Sequence, residues 1–253
     1  MARTGKPASR HVAAVARAVT VLDVLADADI ELGTNEIARR AGINASSASR
    51  LLATLVGAGL VAHREDTGRY RLGLRLFYLG TAALARLDIR DLARPHLRAL
   101  ADASGETATL CLPDEDEALT VDFVQSAASV QSVARLGRPS VGHATAVGKI
   151  LLADRSTVPQ GPLTAYTLRT ITDPTKLVEE LSLVAERGWA EAIGEREIDL
   201  NAVAVPVRRG DELVAILGLQ GPAGRFDSRA MRRAVDLLLA SAAEIGGRSE
   251  RRP

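Results

Sequence analysis

The chain has 253 residues, a length that allows one or two domains. Its single cysteine excludes a disulfide framework and sites built from several cysteines, and its seven aromatic residues argue against a surface that stacks single-stranded bases. A formal net charge of +1 also argues against a nucleic-acid partner, although this value is an average over the whole chain.

The charge is unevenly distributed along the sequence. Residues 1–91 carry 13 Lys and Arg against 9 Asp and Glu, a net charge of +4, whereas residues 92–253 carry 19 against 22, a net charge of −3. A basic N-terminal third joined to a mildly acidic remainder is a common layout of DNA-binding regulators. The apolar stretches are shorter than the ~18 residues of a membrane-spanning helix, and the polar start does not resemble a secretion signal. We therefore expect a cytoplasmic protein without a membrane partner.

The first residues predict three helices, of which the last two form a helix-turn-helix. Residues 12–26 carry apolar side chains at steps of three and four, which indicates one apolar helix face. Thr34 is predicted to cap a short helix that Gly42 ends, and Asn44 to cap a third helix over residues 45–57. Because only a tight turn separates these two helices, the second is free to lie in a major groove of DNA.

A basic hairpin is predicted directly after the third helix. Residues 59–64 and 69–72 read as strands around a turn at 65–68, and arginines flank that turn. Such arginines neutralise phosphates, and short hydroxyl side chains near a helix N-terminus approach phosphates and base edges. Taken alone, the serines fit equally well a solvent-exposed first turn of a helix that makes no contact with DNA. The candidate DNA-contacting residues are Thr34, Ser46, Ser47, Ser49, Arg50, Arg64, Arg69 and Arg71.

The rest of the chain predicts an α+β fold rather than a parallel wound sheet. Residues 74–86 and 89–103 read as helices, and the pattern becomes strand-like after Gly105. The predicted strands are residues 107–112, 118–125, 202–208 and 212–220, with a further candidate at 130–134 before a loop over 137–142. The predicted later helices are residues 144–152, 175–187 and 229–245.

The order and spacing of these segments resemble the IclR family of bacterial transcription regulators. The resemblance is carried by Ala16–Leu22, Thr34–Ile43, Ser49–Leu55, Gly59–Val61, Arg69–Gly73, Gly105–Thr107, His143–Lys149, Gly188–Glu195, Ala202–Val207 and Gly218–Pro222. It implies a winged helix-turn-helix that dimerises on a palindromic operator, and a GAF-like domain that binds a small-molecule effector beside an antiparallel sheet. The layout it implies is a disordered basic tail (residues 1–10), the winged domain (11–73), a linker helix (74–90) and the effector domain (91–248).

The resemblance also implies that the effector lies between the helix that starts near Ala146 and the last strands, where free backbone N–H groups favour an anion. Some family members that bind small carboxylates carry polar side chains at the places of Ala192, Ala202 and Gly218. We therefore expect room for a larger, less polar effector, an aromatic or medium-sized organic acid; the alternative is a vestigial pocket filled by its own strands. The candidate effector-binding residues are Ser129, Ser132, Ser140, Ala146, Val147, Trp189, Ala192, Leu200, Ala202, Gly218 and Gln220.

Signals of catalytic or metal chemistry are weak. Gly142–Lys149 lacks both the first glycine and the hydroxyl residue of a Walker phosphate loop, the four histidines are scattered, and Cys111 is predicted as a buried core thiol. We expect a repressor rather than an enzyme, with no cofactor and no metal. Its expected partners are double-stranded DNA, the effector and further copies of the chain, as a homodimer or a dimer of dimers. The rival hypotheses are a small-molecule sensor or enzyme whose N-terminal helices only dimerise, and a nonspecific DNA binder.

Overall fold

The computed structural model describes residues 12–84, 87–114 and 117–247. The chain divides into two compact units, residues 1–86 and 87–253. The predicted basic tail at residues 1–10 lies outside the described residues. Within the described part of the chain, no helix is both long enough and apolar enough to cross a membrane.

The first unit contains the predicted helix-turn-helix and hairpin. Its elements are α1 (Ala13–Ala26), α2 (Thr34–Arg40), α3 (Ala45–Gly57), β1 (Val61–Arg64), β2 (Arg69–Leu72) and α4 (Leu74–Leu84). Asn44 caps α3 as predicted, because its side chain accepts a hydrogen bond from the backbone N–H of Ser47 at 2.7 Å. The predicted cap of α2 is wrong: Gly33 is the N-cap, its carbonyl accepts the bond from Ile37 N–H at 3.0 Å, and Thr34 is already helical.

One apolar cluster holds this unit together. Val21 of α1, Ile37 of α2 and Leu52 of α3 are fully buried in it. β1 and β2 pair antiparallel from Val61↔Leu72 to Arg64↔Arg69. Two backbone hydrogen bonds between Leu32 and Tyr70, at 3.1 and 2.8 Å, fix the hairpin to the segment before α2. The hairpin is thus held rigidly beside the helix-turn-helix.

The second unit is an α+β domain built on one antiparallel sheet, as predicted. The sheet order is β5-β4-β3-β8-β7-β6. Its helices are α5 (Asp88–Ser104), α6 (Ala146–Arg155), α7 (Pro174–Arg187) and α8 (Ser228–Gly247). Its strands are β3 (Thr107–Pro113), β4 (Ala118–Val124), β5 (Pro139–Ser140), β6 (Ala190–Ile193), β7 (Leu200–Arg209) and β8 (Glu212–Pro222).

Helices cover both faces of this sheet. α6 and α7 pack on one face, where Ile150 and Val184 share a core cluster with Ala204 of β7. The neighbours of Ala204, Val203 and Val205, are also fully buried and point to the opposite face, because side chains alternate along a strand. α5 and α8 contact β3, β4, β7 and β8 and cover that second face.

The predicted strand at residues 130–134 is wrong. This segment is held by side chains rather than by a strand ladder, since Thr107 Oγ1 donates to the carbonyl oxygen of Ser132 at 2.8 Å. The free edge of β4 is paired instead by the two residues of β5, through Ala118↔Ser140 and Leu119↔Pro139. β5 therefore lies inside the segment that the sequence predicted as a loop over residues 137–142.

The predicted linker helix of residues 74–90 also differs in the structure. α4 ends at Leu84, and α5 begins at Asp88 with Leu87 as its N-cap. Asp88 and Asp91 lie in the first turn of α5, where carboxylates are favoured by the positive end of the helix dipole. Residues 88–90 therefore belong to the first helix of the second unit, while residues 85 and 86 lie outside the described residues.

Candidate functional site

The first turns of α3 present the predicted hydroxyl side chains to solvent. Ser46, Ser49 and Arg50 are exposed, whereas Ser47 is half-buried and its N–H is bound by the Asn44 cap. Among the described residues, Arg50 has no carboxylate within 4 Å. Its guanidinium is therefore available to a phosphate or a guanine edge without breaking an ion pair.

The arginines of the hairpin are all held within the first unit. Arg64 makes two hydrogen bonds to Asp66, at 3.0 and 2.7 Å, and this partner lowers the pKa of the Asp66 carboxyl to about 2. Arg69 donates to the backbone carbonyl of Glu31 at 2.7 Å, and Arg71 lies 3.9 Å from the Glu31 carboxylate. Exposed pairs of this kind are weak because water screens them, so all three guanidinium groups can exchange these partners for phosphates.

Thr34 and Arg69, which are far apart in the sequence, line the same open groove. This groove has a volume of about 570 Å³ and lies between the start of α2 and the hairpin. Arg40 and Asn35 also line it, and sequence reasoning named neither. The groove therefore joins the two predicted halves of the DNA-contacting set, the helix-turn-helix and the hairpin.

The second unit contains a cavity of about 610 Å³ on the α6 face of the sheet. A volume of this size is typical of sites for small organic ligands. Nine of the eleven candidate effector residues line it, and these are Ser132, Ser140, Ala146, Val147, Ala192, Leu200, Ala202, Gly218 and Gln220. The structure thus brings together residues from β5, α6, β6, β7 and β8, with the 125–138 segment above them.

Trp189 and Ser129 do not line this cavity, contrary to the sequence prediction. Ala190 and Ala192 of β6 face the α6 side, so alternation directs the side chain of Trp189 away from it. The indole instead stacks with the guanidinium of Arg187, whose carbon lies 4.1 Å from the ring centroid. Ser129 is exposed and precedes the first lining residue of its segment, Val130.

The start of α6 supplies backbone donors to the cavity. Thr145 caps the helix by accepting a hydrogen bond from Gly148 N–H at 3.0 Å. In the described structure, the remaining first-turn N–H groups, those of Ala146 and Val147, form no hydrogen bond. Unpaired donors at the positive end of a helix dipole favour an anion.

Ser132, Ser140 and Gln220 are polar lining residues that the sequence predicts, but it does not predict the charged residues of the lining. Three arginines belong to it, none of which has a carboxylate within 4 Å among the described residues: Arg135, Arg138 and Arg196. Thr109, Cys111 and Thr120 also line the cavity, so the predicted core thiol is buried but faces the ligand space. The alternation of residues 107–112 would have placed Thr109 and Cys111 on one face of the strand.

The sequence predicts that the small residue Gly218 leaves room for a larger effector, and the structure does not show this room. A Cβ atom added at Gly218 would lie 2.8 Å from Thr109 Oγ1 and 3.5 Å from a methyl group of Val147. The space is therefore already filled by the Thr109 side chain on the neighbouring strand. This hydroxyl stands where a side chain at position 218 would otherwise lie.

A buried ion pair supports the loop that closes one side of the cavity. Lys149 of α6, 1% exposed, donates to Glu195 Oε1 at 2.8 Å and to the carbonyl of Glu191 at 2.9 Å. Burial raises the pKa of Glu195 above its ordinary value, and Lys149 opposes this rise. Thr170 Oγ1 donates to the Glu195 carbonyl at 2.6 Å, so the loop at residues 194–200 is fixed at its start.

Among the described residues, no group of three or more His, Cys, Asp or Glu side chains could hold a metal ion. Among the described histidines, the Nε2 atom of His143 lies 2.9 Å from the carbonyl oxygen of Thr164. The polar groups of the cavity lining are hydroxyl groups, backbone donors, arginines and the carboxylates of Glu197 and Asp199.

Comparison with known proteins places both units in one family. Residues 14–65 match the IclR helix-turn-helix domain, and residues 81–246 match the C-terminal domain of the bacterial transcriptional regulator IclR. The transcriptional regulator KdgR of Escherichia coli K12 is 32% identical over 241 residues, which cover 92% of this chain and 91% of that protein.

Solved structures show the same fold. An IclR-type transcriptional regulator from Silicibacter sp. TM1040 is 27% identical, with a TM-score of 0.81 over 93% of this chain and 95% of that one. An IclR homologue from Microbacterium hydrocarbonoxydans, crystallised with 4-hydroxybenzoate, is 27% identical, with a TM-score of 0.76 over 92% and 97% of the two chains. With both units matched in order along nearly its whole length, the chain belongs to the IclR family of bacterial transcriptional regulators.

Proposed function

We propose that this regulator is a cytoplasmic repressor that binds a pseudo-palindromic operator as a homodimer or a dimer of dimers, and that a medium-sized organic acid in the cavity controls its DNA affinity. Half-sites about one helical turn, ~34 Å, apart would fit two winged units. The exposed serines and Arg50 of α3 are proposed to contact the groove. Arg64, Arg69 and Arg71 are proposed to contact phosphates, with Thr34 beside them.

The observation that carries this proposal is the combination of features around the cavity. Its 610 Å³ volume is far larger than a two- or three-carbon acid requires. Three arginines that have no ion-pair partner among the described residues, and the N–H groups of Ala146 and Val147, favour a carboxylate. The related protein from Microbacterium hydrocarbonoxydans was crystallised with 4-hydroxybenzoate, an acid of the size and class proposed for this chain.

The cavity supports binding rather than catalysis. Cys111 is its one thiol among the described residues, and burial raises the pKa of this thiol to about 11. The group therefore stays protonated at neutral pH, whereas a catalytic cysteine reacts as a thiolate. We propose that the protein is not an enzyme on this ground.

The test is DNA binding to the region upstream of the protein's own gene, measured by fluorescence anisotropy with and without added acids. Benzoate, 4-hydroxybenzoate and hexanoate are suitable probes, and an effector should change the operator affinity about 5- to 150-fold. Arg138→Gln should weaken the response to acid about tenfold or more, since it removes a charge-assisted hydrogen bond. Arg98→Gln, which changes an exposed arginine outside the cavity, is the matched control.

Two outcomes would favour the rival hypotheses. Failure to bind the duplex at micromolar protein would favour a sensor or enzyme whose N-terminal helices only dimerise. Equal affinity for the upstream duplex and a scrambled duplex would favour a nonspecific DNA binder.

A further inference from the structure

The buried part of the cavity lining contains polar groups but no formal charge. Four side chains on neighbouring strands form what we call the hydroxyl cluster: Thr109, Cys111, Thr120 and Ser140. The first three are 5%, 1% and 9% exposed, and Ser140 is half-buried. The charged side chains of the lining are all exposed or half-buried, and they are Arg135, Arg138, Arg196, Glu197 and Asp199.

The hydrogen bond that Thr109 donates is long. Thr109 Oγ1 lies 3.4 Å from the carbonyl oxygen of Gly218, whereas strong hydroxyl hydrogen bonds measure 2.5–3.0 Å. Cys111 Sγ lies 3.5 Å from Thr120 Oγ1, and this thiol also interacts with the hydroxyls of Thr109 and Ser140. Buried hydroxyl groups are normally well paired, so the Thr109 hydroxyl retains capacity for a further partner.

The partner that fits is uncharged. Among the described residues, no lysine or arginine side chain is hydrogen-bonded to the hydroxyl cluster, so a carboxylate placed against it would lose its hydration without a paired cation. The thiol offers no cation and stays neutral, and the threonine and serine hydroxyls both donate and accept. A hydroxyl or carbonyl group of a ligand would therefore be bound there, whereas a second carboxylate would be rejected.

We infer that the effector is an acid with a single carboxylate that also carries an uncharged hydroxyl or carbonyl group, and that the hydroxyl cluster binds this uncharged group. The inference rests on the proposed function, which supplies the carboxylate and its arginines. Thr109 has the central place, because the glycine at position 218 lets its hydroxyl face the cavity. Thr109 and Thr120 are thus specificity-determining residues rather than general binding residues.

Two matched series of ligands test this inference by isothermal titration calorimetry on the full-length protein. The aromatic series is 4-methylbenzoate, 4-hydroxybenzoate and terephthalate, and the aliphatic series is heptanoate, 6-hydroxyhexanoate and adipate. In at least one series we expect the hydroxy acid to bind about tenfold or more tightly than the methyl-ended acid, and the diacid to bind most weakly. A buried hydrogen bond of about 1–1.5 kcal/mol corresponds to this ratio.

Thr109→Val and Thr120→Val remove a hydroxyl at nearly constant shape. Each substitution should reduce the ratio of the hydroxy-acid affinity to the methyl-ended-acid affinity toward one. The affinity for the methyl-ended acid should stay within about twofold of the wild-type value. This ratio is measured within one variant, so it does not depend on the fraction of folded protein. Ser129→Ala, at an exposed serine outside the cavity, should leave the ratio unchanged.

The outcomes separate this inference from the proposed function. Binding of the acids without preference for the hydroxy acid, or binding of a diacid as tightly as the hydroxy acid, would overturn the inference and leave the proposed function standing. A preference that survives both threonine substitutions would also overturn it. If none of the six acids binds, the proposed effector class fails and the inference fails with it.

Discussion

Replacement of Lys149 by methionine should strongly destabilise the second unit. Lys149 is 1% exposed and faces Glu195 at 2.8 Å and Glu180 at 3.6 Å. Methionine keeps the length of the side chain but leaves the buried Glu195 without its cation, a loss of about 3–5 kcal/mol. For a domain of this size, a loss of 1 kcal/mol lowers Tm by about 2–4 °C, so Tm should fall by about 6–20 °C.

The stability lost in Lys149→Met should decrease as the pH falls. Lys149→Met removes the charge that lowers the pKa of Glu195, so burial raises this pKa still further in the variant. A carboxyl whose pKa is raised by folding binds its proton more tightly in the native state, and the stability it contributes is lost as the pH rises through the folded value. The gap between wild type and Lys149→Met should therefore shrink as the pH falls from neutral toward the ordinary carboxyl value of 4.5.

The assay is thermal unfolding followed by the fluorescence of Trp189, the single tryptophan, which reports on the second unit alone. Lys176→Met, at an exposed lysine of α7, is the matched control and should change stability by less than about 0.5 kcal/mol. The double variant with Glu195→Gln should recover part of the loss, because no buried charge is left unpaired. A Tm within about 2 °C of wild type at neutral pH, or a difference in Tm that does not vary with pH, would show that Lys149 does not compensate the charge of Glu195.

Three further predictions concern the first unit. Arg69→Ala should weaken binding to operator and random duplexes alike and reduce the slope of log affinity against log salt by about one, and an unchanged slope would contradict the phosphate contact. Asn44→Ala should cost about 0.5–2 kcal/mol in denaturant unfolding followed by circular dichroism, whereas Asn44→Asp, which keeps a cap, should not. Gly73→Ala should destabilise the unit because its Cβ would collide with the carbonyl oxygen of Gly59; Gly57→Ala, with open space around its Cβ, should be neutral or stabilising in the same unfolding assay.

The helix-turn-helix could be predicted from sequence because its signals are local. The Asn44 cap, the apolar spacing of α3 and the turn before it all lie within about fifteen residues of one another. The sequence predicts the cap of α2 one residue late, at Thr34, because threonine and glycine are similar capping residues by type and only the backbone separates them; Gly33 has the extended backbone that a cap requires. Local preference thus fixed the element but not its first residue.

The cavity could be predicted only in part, because its lining is assembled across strands. The resemblance to the family supplied positions on β7, β8 and α6, but Thr120 and the three arginines had no local signal, and the alternation that groups Thr109 with Cys111 does not say which face borders the cavity. Cys111 and Thr120 meet only through the pairing of β3 with β4, which contains a register shift after Leu110. The segment at 130–134 contains two valines, a residue type favoured in strands, yet it lines the ligand space, since β5 already occupies the edge of β4.

The shortage of aromatic residues bears on how a ligand is held. Among the lining residues of the described cavity none is aromatic, and the ring of Trp189 stacks on Arg187 instead. An aromatic acid therefore has no aromatic side chain to stack against, and a ring and an aliphatic chain both bury apolar area against the same alanine and valine side chains. Discrimination between acids of similar length must then come from their polar groups, through the arginines and the hydroxyl cluster. This is why the preference for the hydroxy acid is expected in whichever series fits the cavity.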